Sequence, residues 1–296
     1  FAKDINDFII EDFVSEYLSG RTPNPCVRCN QHLKFGSLYK KVMSLGAGYL
    51  ATGHYGKIHY NAAKNRYEMK KADDSKKDQS YFLYSMKRET LPHVFFPLGD
   101  MTKVEVRELA KKYHLNTAEK PESQDICFVG DGGYKKFIEN RLGKEIHVPG
   151  RFVNEKGETV GQHQGIINYT IGQRDKLGIA LGYPVYVSRI DRETNTVYVG
   201  PLAKLYSKGL TASQFNPVSL ERIDGEIKAM VRIRYNSPEV KATIKAISDD
   251  QIEVIFDEPQ KSVTPGQSVV LYQDDVVLGG ATIEKSIKIS DRHFFS

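Results

Sequence analysis

The stretch G-R-T-P-N-P-C-V-R-C-N at residues 20–30 holds two of the chain's three cysteines, Cys26 and Cys29, on either side of the basic residue Arg28. Cysteine acts as a nucleophile or a metal ligand only as thiolate, and a nearby cation favours that form. Pro23 and Pro25 fix φ and restrict the residues before them, so the stretch is expected to be a stiff extended loop rather than a helix. A rigid loop presenting two thiols beside an arginine suits sulfur chemistry. The third cysteine, Cys127, lies far along the chain in S-Q-D-I-C-F-V-G. Everything turns on whether that loop and Cys127 meet in space.

Other chemistries fit the pair less well. A C-x-x-C is often half of a structural zinc site, but such a site wants a second pair or an H-x-x-H nearby. Here only His32 follows, and no second pair exists. A thioredoxin-like redox pair needs C-x-x-C at a strand-to-helix junction, and the proline-rich lead-in argues against one. Two inert cysteines are conceivable, since free cysteine packs as a small hydrophobe. The polar, proline-bracketed setting argues against burying both.

The elements that must position these residues come from a chain of 296 residues, enough for two or three domains. It is 27% charged and 40% hydrophobic, as ordinary soluble domains are. No apolar run approaches bilayer length and no secretory h-region opens the chain. Few cysteines in so long a chain imply a reducing, cytoplasmic setting rather than a disulfide scaffold. The net charge of +5 and pI near 8.8 are compatible with nucleic acid without demanding it.

Apolar residues at helical spacing from Ile5 to Leu18 predict an amphipathic helix over residues 4–18, ended by Gly20. Phe35, Leu38, Tyr39, Val42 and Met43 predict a second helix to about Leu45, ended by Gly46 and Gly48. Residues 49–52 read as a short buried strand closed by Gly53-His54-Tyr55. Ligands bind at the C-terminal ends of strands in open α/β sheets, which places His54 where a ligand would be. Residues 57–60 and 66–69 alternate as a hairpin. The charged segment 73–80 reads as solvated surface before the aromatic run Tyr81, Phe82 and Tyr84. Thr102 and Glu105 form a capping box opening a helix whose apolar face is Val106, Leu109, Ala110 and Tyr113. The loop 115–124 then leads to Asp125 and Cys127. Residues 131–205 change character: a short helix near 134–141, a turn at 154–157, and a hairpin of residues 186–190 and 196–199. From Leu210 onward only strands are expected, at 227–235, 240–247, 251–256, 268–272 and 276–283. That spacing predicts a small β-barrel or sandwich.

Taken together the motifs resemble the tRNA-specific 2-thiouridylase (MnmA/TrmU) family, which replaces the C2 oxygen of the wobble uridine with sulfur. The resemblance rests on the cysteine stretch at 20–30, A-T-G-H-Y at 51–55, K-D-Q-S-Y-F-L at 77–83 and F-P-L-G at 96–99. It continues with D-I-C-F-V-G at 125–130, Y-T-I-G-Q-R at 169–174 and T-P-G-Q at 264–267. The motifs follow family order over nearly the whole chain. The resemblance implies an α/β domain of PP-loop type (adenine nucleotide α-hydrolase-like) over residues 1–130, a small central α+β domain over 131–205 and a C-terminal β-barrel over 206–296. It implies Cys29 as the nucleophile and Cys127 as the persulfide carrier. It implies Gly53 near ATP, and His54, Lys77, Asp78, Gln79, Arg234, Tyr235 and Gln267 at tRNA contacts. Asn24, Pro25 and Cys26 fall against the target base. The implied cofactors are ATP and Mg²⁺, and the implied partners are the tRNA anticodon stem-loop and a persulfide sulfur-donor protein. A monomer is expected.

Two positions depart from the family pattern. Its glycine- and serine-rich phosphate cradle is not found before Asp4, so residues 1–296 read as a chain lacking its N-terminal nucleotide-binding segment. Many members carry aspartate where Cys26 stands, and a thiol is a poor acid–base substitute for it. Two alternatives follow. Cys26, Cys29 and Cys127 could hold a [4Fe–4S] cluster with one iron open to sulfide. The chain could also be a non-catalytic tRNA-binding protein, which would have no use for the cysteine stretch.

Overall fold

A computed structural model of the chain describes residues 1–116, 118–119 and 126–289. Most of the expected loop 115–124, and Asp125 of the D-I-C-F-V-G motif, lie outside the described residues.

The first helix runs over residues 2–18 as Ala2–Ile5, Asn6–Ile10 and Glu11–Leu18, the middle piece being π-helical. It buries Ile9, Phe13, Val14 and Tyr17, the stripe its spacing predicted. Gly20 ends it at φ +70°, its N–H donating to the Tyr17 carbonyl. A Cβ there would come within 2.6 Å of Ile190, so glycine is needed for space as well as for φ.

The second helix begins earlier than expected. Pro25–Arg28 is α-helical and continues through the π-helical Cys29–Leu38 into Tyr39–Ser44. The extended loop expected for residues 20–30 is thus confined to its first half, and both cysteines stand on a helix. Proline at the first helical position costs nothing, because its missing N–H would be unbonded there anyway. Asn24 supplies the cap: its side-chain oxygen accepts from the Val27 N–H at 3.4 Å.

Beyond this helix Leu50–Ala51 pairs in parallel with Val94–Phe95. This strand was expected to be buried, but Ala51 and Phe95 are exposed. The hairpin Lys57–Asn61 with Arg66–Lys70 forms as expected, with Asn65 at φ +48° in its turn. It then joins a sheet the sequence pattern did not connect it to, through Val277 opposite Met69. The capping box at Thr102 and Glu105 is complete, but the helix it opens, Lys103–Lys112, buries no side chain.

The central region is a four-stranded sheet. Gly150–Val153 lies between Thr159–His163 and Thr196–Gly200, with Tyr186–Asp191 outermost. Phe152, Val187 and Val197 fill its core. The C-terminal region is a closed six-stranded barrel rather than a sandwich, because Ser268–Gln273 pairs with both Glu226–Arg232 and Val276–Lys288. One of its strands, Tyr206–Pro217, has no counterpart in the expected set. Leu210, Ile244, Val254, Val269 and Ile283 are fully buried inside. Each such side chain contributes about 1.5–3 kcal/mol relative to exposure, which drives the ring shut.

Candidate active site

A cavity of about 430 Å³ lies where the two helices, the end of the parallel strand pair and the segment after residue 125 converge. Its polar wall carries Cys26, Cys29, Cys127, Lys34, His54 and Gln79, and its apolar wall includes Ile5, Ile9, Leu33, Phe82 and Phe128. The Cys26–Cys29 pair and the distant Cys127 therefore share one chamber. All are free thiols; Cys26 and Cys127 are exposed at the mouth and Cys29 is half-buried.

Each thiol arrives by its own route. Asn24 fixes the start of the helix and so sets where Cys26 and Cys29 point. Cys127 sits in a turn closed by the Val129 N–H on the Ile126 carbonyl. Its neighbour Phe128 is packed edge-on against Phe13, ring centroids 5.2 Å apart, which anchors the segment to the first helix.

The cation beside the thiols is not the one the sequence pattern suggested. Arg28 turns away, its Nε to Asp12 at 3.3 Å and its Nη1 to Gln214 of the barrel at 2.9 Å. Lys34 takes its place. In a π-helix the bonds run from i to i+5, so residues five apart stack on one face. Lys34 stands in that relation to Cys29. Crowding by protein pushes both thiols up: Cys29 by burial first, with Cys127 adding to it and Lys34 opposing. Cys26 is pushed up likewise by burial and by Cys29, again with Lys34 opposing.

His54 lies at the strand end where a ligand was expected. Lysine Nζ can only donate, so Lys34 donates to His54 Nε2 at 3.0 Å. The imidazole proton is then on Nδ1, which donates to Thr52 Oγ1 at 2.8 Å. Burial, with Lys34 second, pulls the His54 pKa down to about 4, so the ring is neutral at physiological pH. Gly53 beside it is exposed, and a Cβ there would find nothing closer than Leu98 at 3.7 Å.

The remaining sequence-selected residues divide. Gln79 reaches the cavity and is held there by a reciprocal pair with Tyr55, its Oε1 accepting and its N–H donating. Asp78 is not solvated surface: it is 4% exposed, and its carboxylate accepts from the Ala72 and Ser80 N–H groups and the Ser80 hydroxyl. It faces Arg232 of the barrel at 3.8 Å. That contact brings Lys77 and Gln79 close to the strand that leads into Arg234 and Tyr235. Tyr235 packs on Phe82 with ring centroids 4.5 Å apart. Gln267 donates to the Thr22 and Pro23 carbonyls at 3.1 Å each, directly before the Asn24 cap. Lys34 and Phe82 are the site residues sequence reasoning missed. The signal for Lys34 was a lysine five positions after Cys29, legible only with the helix in hand.

Among the described residues no three of His, Cys, Asp or Glu converge so as to hold a metal ion. The three thiols that a three-cysteine [4Fe–4S] cluster would use all line this chamber. No described helix is long and apolar enough to cross a membrane.

Three thiols lining a chamber at the end of a parallel strand pair, with a small sheet domain and a closed barrel attached, have the make-up of a multidomain enzyme. Comparison with known proteins bears this out. Residues 1–131 match the family described as tRNA methyl transferase HUP domain, 135–201 its PRC-barrel domain, and 207–283 the aminomethyltransferase beta-barrel domain. The tRNA-specific 2-thiouridylase MnmA of Carboxydothermus hydrogenoformans is 49% identical over 94% of this chain and 76% of its own length. That of Acetivibrio thermocellus is 49% identical over 93% and 77%, and that of Halothermothrix orenii 47% identical over 94% and 77%. The chain belongs to the tRNA-specific 2-thiouridylase family and is an enzyme of the tRNA sulfurtransferase class.

Proposed function

We propose that this chain transfers sulfur from a persulfide on Cys127 to C2 of the wobble uridine of tRNA in an ATP-dependent reaction, with Cys29 as the resolving nucleophile. The observation that carries this reading is the single chamber shared by Cys26, Cys29 and Cys127. The uracil C2 oxygen is a poor leaving group, and ATP, when bound, converts it into one that departs with AMP. The match to a HUP domain supports nucleotide binding, with Gly53 at the strand end beside it.

The terminal sulfur of the Cys127 persulfide attacks C2 and AMP leaves, giving a C2–S–S–Cys127 linkage. The Cys29 thiolate attacks the Cys127 sulfur, the S–S bond breaks, and thiouridine departs with the electron pair and takes a proton. A Cys29–Cys127 disulfide remains, which an external thiol reductant returns to two thiols. The persulfide is restored by a sulfur-donor protein, for which the exposed Cys127 is accessible.

The target base enters between the Asn24–Pro25–Cys26 helix start and Phe82, as splayed anticodon-loop bases do in protein pockets. His54, Lys77, Gln79, Arg234 and Tyr235 line the approach for tRNA. Asp78 and Gln267 contribute indirectly by holding the K-D-Q segment and the helix start. In this reading residues 1–130, 131–205 and 206–296 act as catalytic, central and barrel domains.

The test uses the full-length enzyme. Cys29→Ser and Cys127→Ser each abolish thiolation, measured by nucleoside mass spectrometry, while tRNA binding survives. Mild oxidation yields a Cys29–Cys127 disulfide in non-reduced peptide maps. Cys26→Asp keeps activity, because aspartate is the family's other choice there. Normal thiolation by Cys127→Ser overturns the mechanism.

A further inference from the structure

Lys34 is the only lysine or arginine lining the chamber among the described residues. Three thiols line the same chamber, and its charge opposes the upward push on both Cys26 and Cys29. A lysine on a flexible stem ordinarily points to water. This one is held inward by its hydrogen bond to His54 Nε2, and His54 is itself fixed by Thr52 Oγ1 and packed between Phe35 and Phe96. A charged imidazole could not accept that bond, so the neutrality of His54 is what makes it a bracket for a cation. Among the described residues no carboxylate lines the chamber to neutralise the ammonium group. It is a fixed positive charge in a largely apolar cavity where the reaction generates sulfur anions, and among the described residues no other cation lines the wall.

We propose that Lys34, aimed by Thr52 and a neutral His54, is the positioning residue that holds the sulfur anions of this site, the Cys29 thiolate foremost. This rests on reading the chamber as a sulfur-transfer site. Cys29 loses its proton to water through the open mouth, and the resulting thiolate is held by the Lys34 charge rather than by Arg28, which is spent on Asp12 and Gln214. His54 then serves the cation and not as a general acid.

The experiment compares alkylation of Cys29 in the full-length protein by anionic iodoacetate and neutral iodoacetamide, read by peptide mass spectrometry without tRNA or sulfur donor. The ratio of the two rates reports fixed charge beside the sulfur and is insensitive to a general loss of packing. Lys34→Gln retains a donor for His54 but removes the charge; its iodoacetate-to-iodoacetamide ratio falls about fivefold, the effect of one unit charge near contact in water. Lys34→Arg restores the ratio. Equal ratios in the native protein and Lys34→Gln overturn the proposal, as does failure of arginine to rescue. Because no thiolation is measured, the ratio stands or falls separately from the sulfur-transfer reading, which the cysteine variants test.

Discussion

His54 makes the stability of this protein depend on pH in a direction that can be worked out beforehand. Its ordinary pKa near 6.5 is pulled down to about 4 by burial and by Lys34. Below pH 6.5 the unfolded chain therefore takes up a proton that the folded chain refuses. Stability contributed by the neutral ring is intact above that pH and is lost as pH falls toward 4. The gap corresponds to about 3 kcal/mol when titration is complete, and about 2 kcal/mol of it is gone by pH 5. His32 and His163 are also pulled down, so the whole protein loses more than this. Substitution isolates the His54 share. His54→Gln offers an acceptor near the Nε2 position without a titrating group. Urea denaturation at pH 7.5 and pH 5 should show the native protein losing about 2 kcal/mol more than the variant over that interval. Parallel losses would refute the reasoning, and an NMR titration of the His54 ring with a midpoint near 6.5 would locate the error in its environment.

Two further outcomes follow from local geometry. Asn24→Ala removes the oxygen that caps the cysteine helix and should cost about 1 kcal/mol in urea denaturation, whereas Asn24→Asp should be nearly neutral; an alanine variant of native stability would show that the cap does not hold the helix start. Binding of tRNA should weaken steeply with salt, and Arg234→Ala should lower affinity for all tRNAs alike and reduce the log–log salt slope by about one; a salt-independent affinity would remove Arg234 from phosphate contact.

The parts of the fold legible in the sequence were those decided locally. The first helix, its Gly20 stop, the Thr102 capping box, the hairpins and most barrel strands all carry their signal within a few residues. What escaped was decided by partners far along the chain. Asn24-Pro25 is both a loop signal and a helix start, and the choice falls to the helix because the cap oxygen meets Val27 and the barrel grips the preceding carbonyls. Arg28 lies nearest the cysteines in sequence, yet Asp12 and Gln214 draw it off the chamber. Lys34 reads as one more charge on a helix until the π-helical turn brings it onto the Cys29 face. Asp78 sits in a charge run that composition assigns to water, while three donors and Arg232 bury it. The chamber itself could be anticipated only as a question about Cys127, because no local rule brings it to Cys29.

The barrel is more than a platform beside the site. Gly266 at φ +89° approaches Thr22 so closely that a Cβ would lie 2.7 Å from its carbonyl oxygen, and the Thr22 N–H donates to the Pro265 carbonyl at 2.9 Å. With Gln267 bonding the Thr22 and Pro23 carbonyls, the P-G-Q turn grips the backbone that enters the Asn24 cap. Arg21 bridges Glu16 of the first helix to Glu284 of the barrel at 2.8 and 2.7 Å. On the other side Asn216 donates to the Tyr84 and Met86 carbonyls, and the Tyr81 hydroxyl donates to Ser268. The helix bearing Cys26 and Cys29 and the aromatic segment bearing Phe82 are therefore both set by the barrel. A barrel that moved relative to the thiols would have to break both sets of bonds at once. Tyr235 on Phe82 then makes a barrel side chain part of the chamber's surroundings, so under the proposed function a tRNA held by the barrel would meet the thiols at a fixed offset. That rigidity answers what the chemistry requires: a base must arrive within bonding distance of a sulfur whose position was settled before it entered.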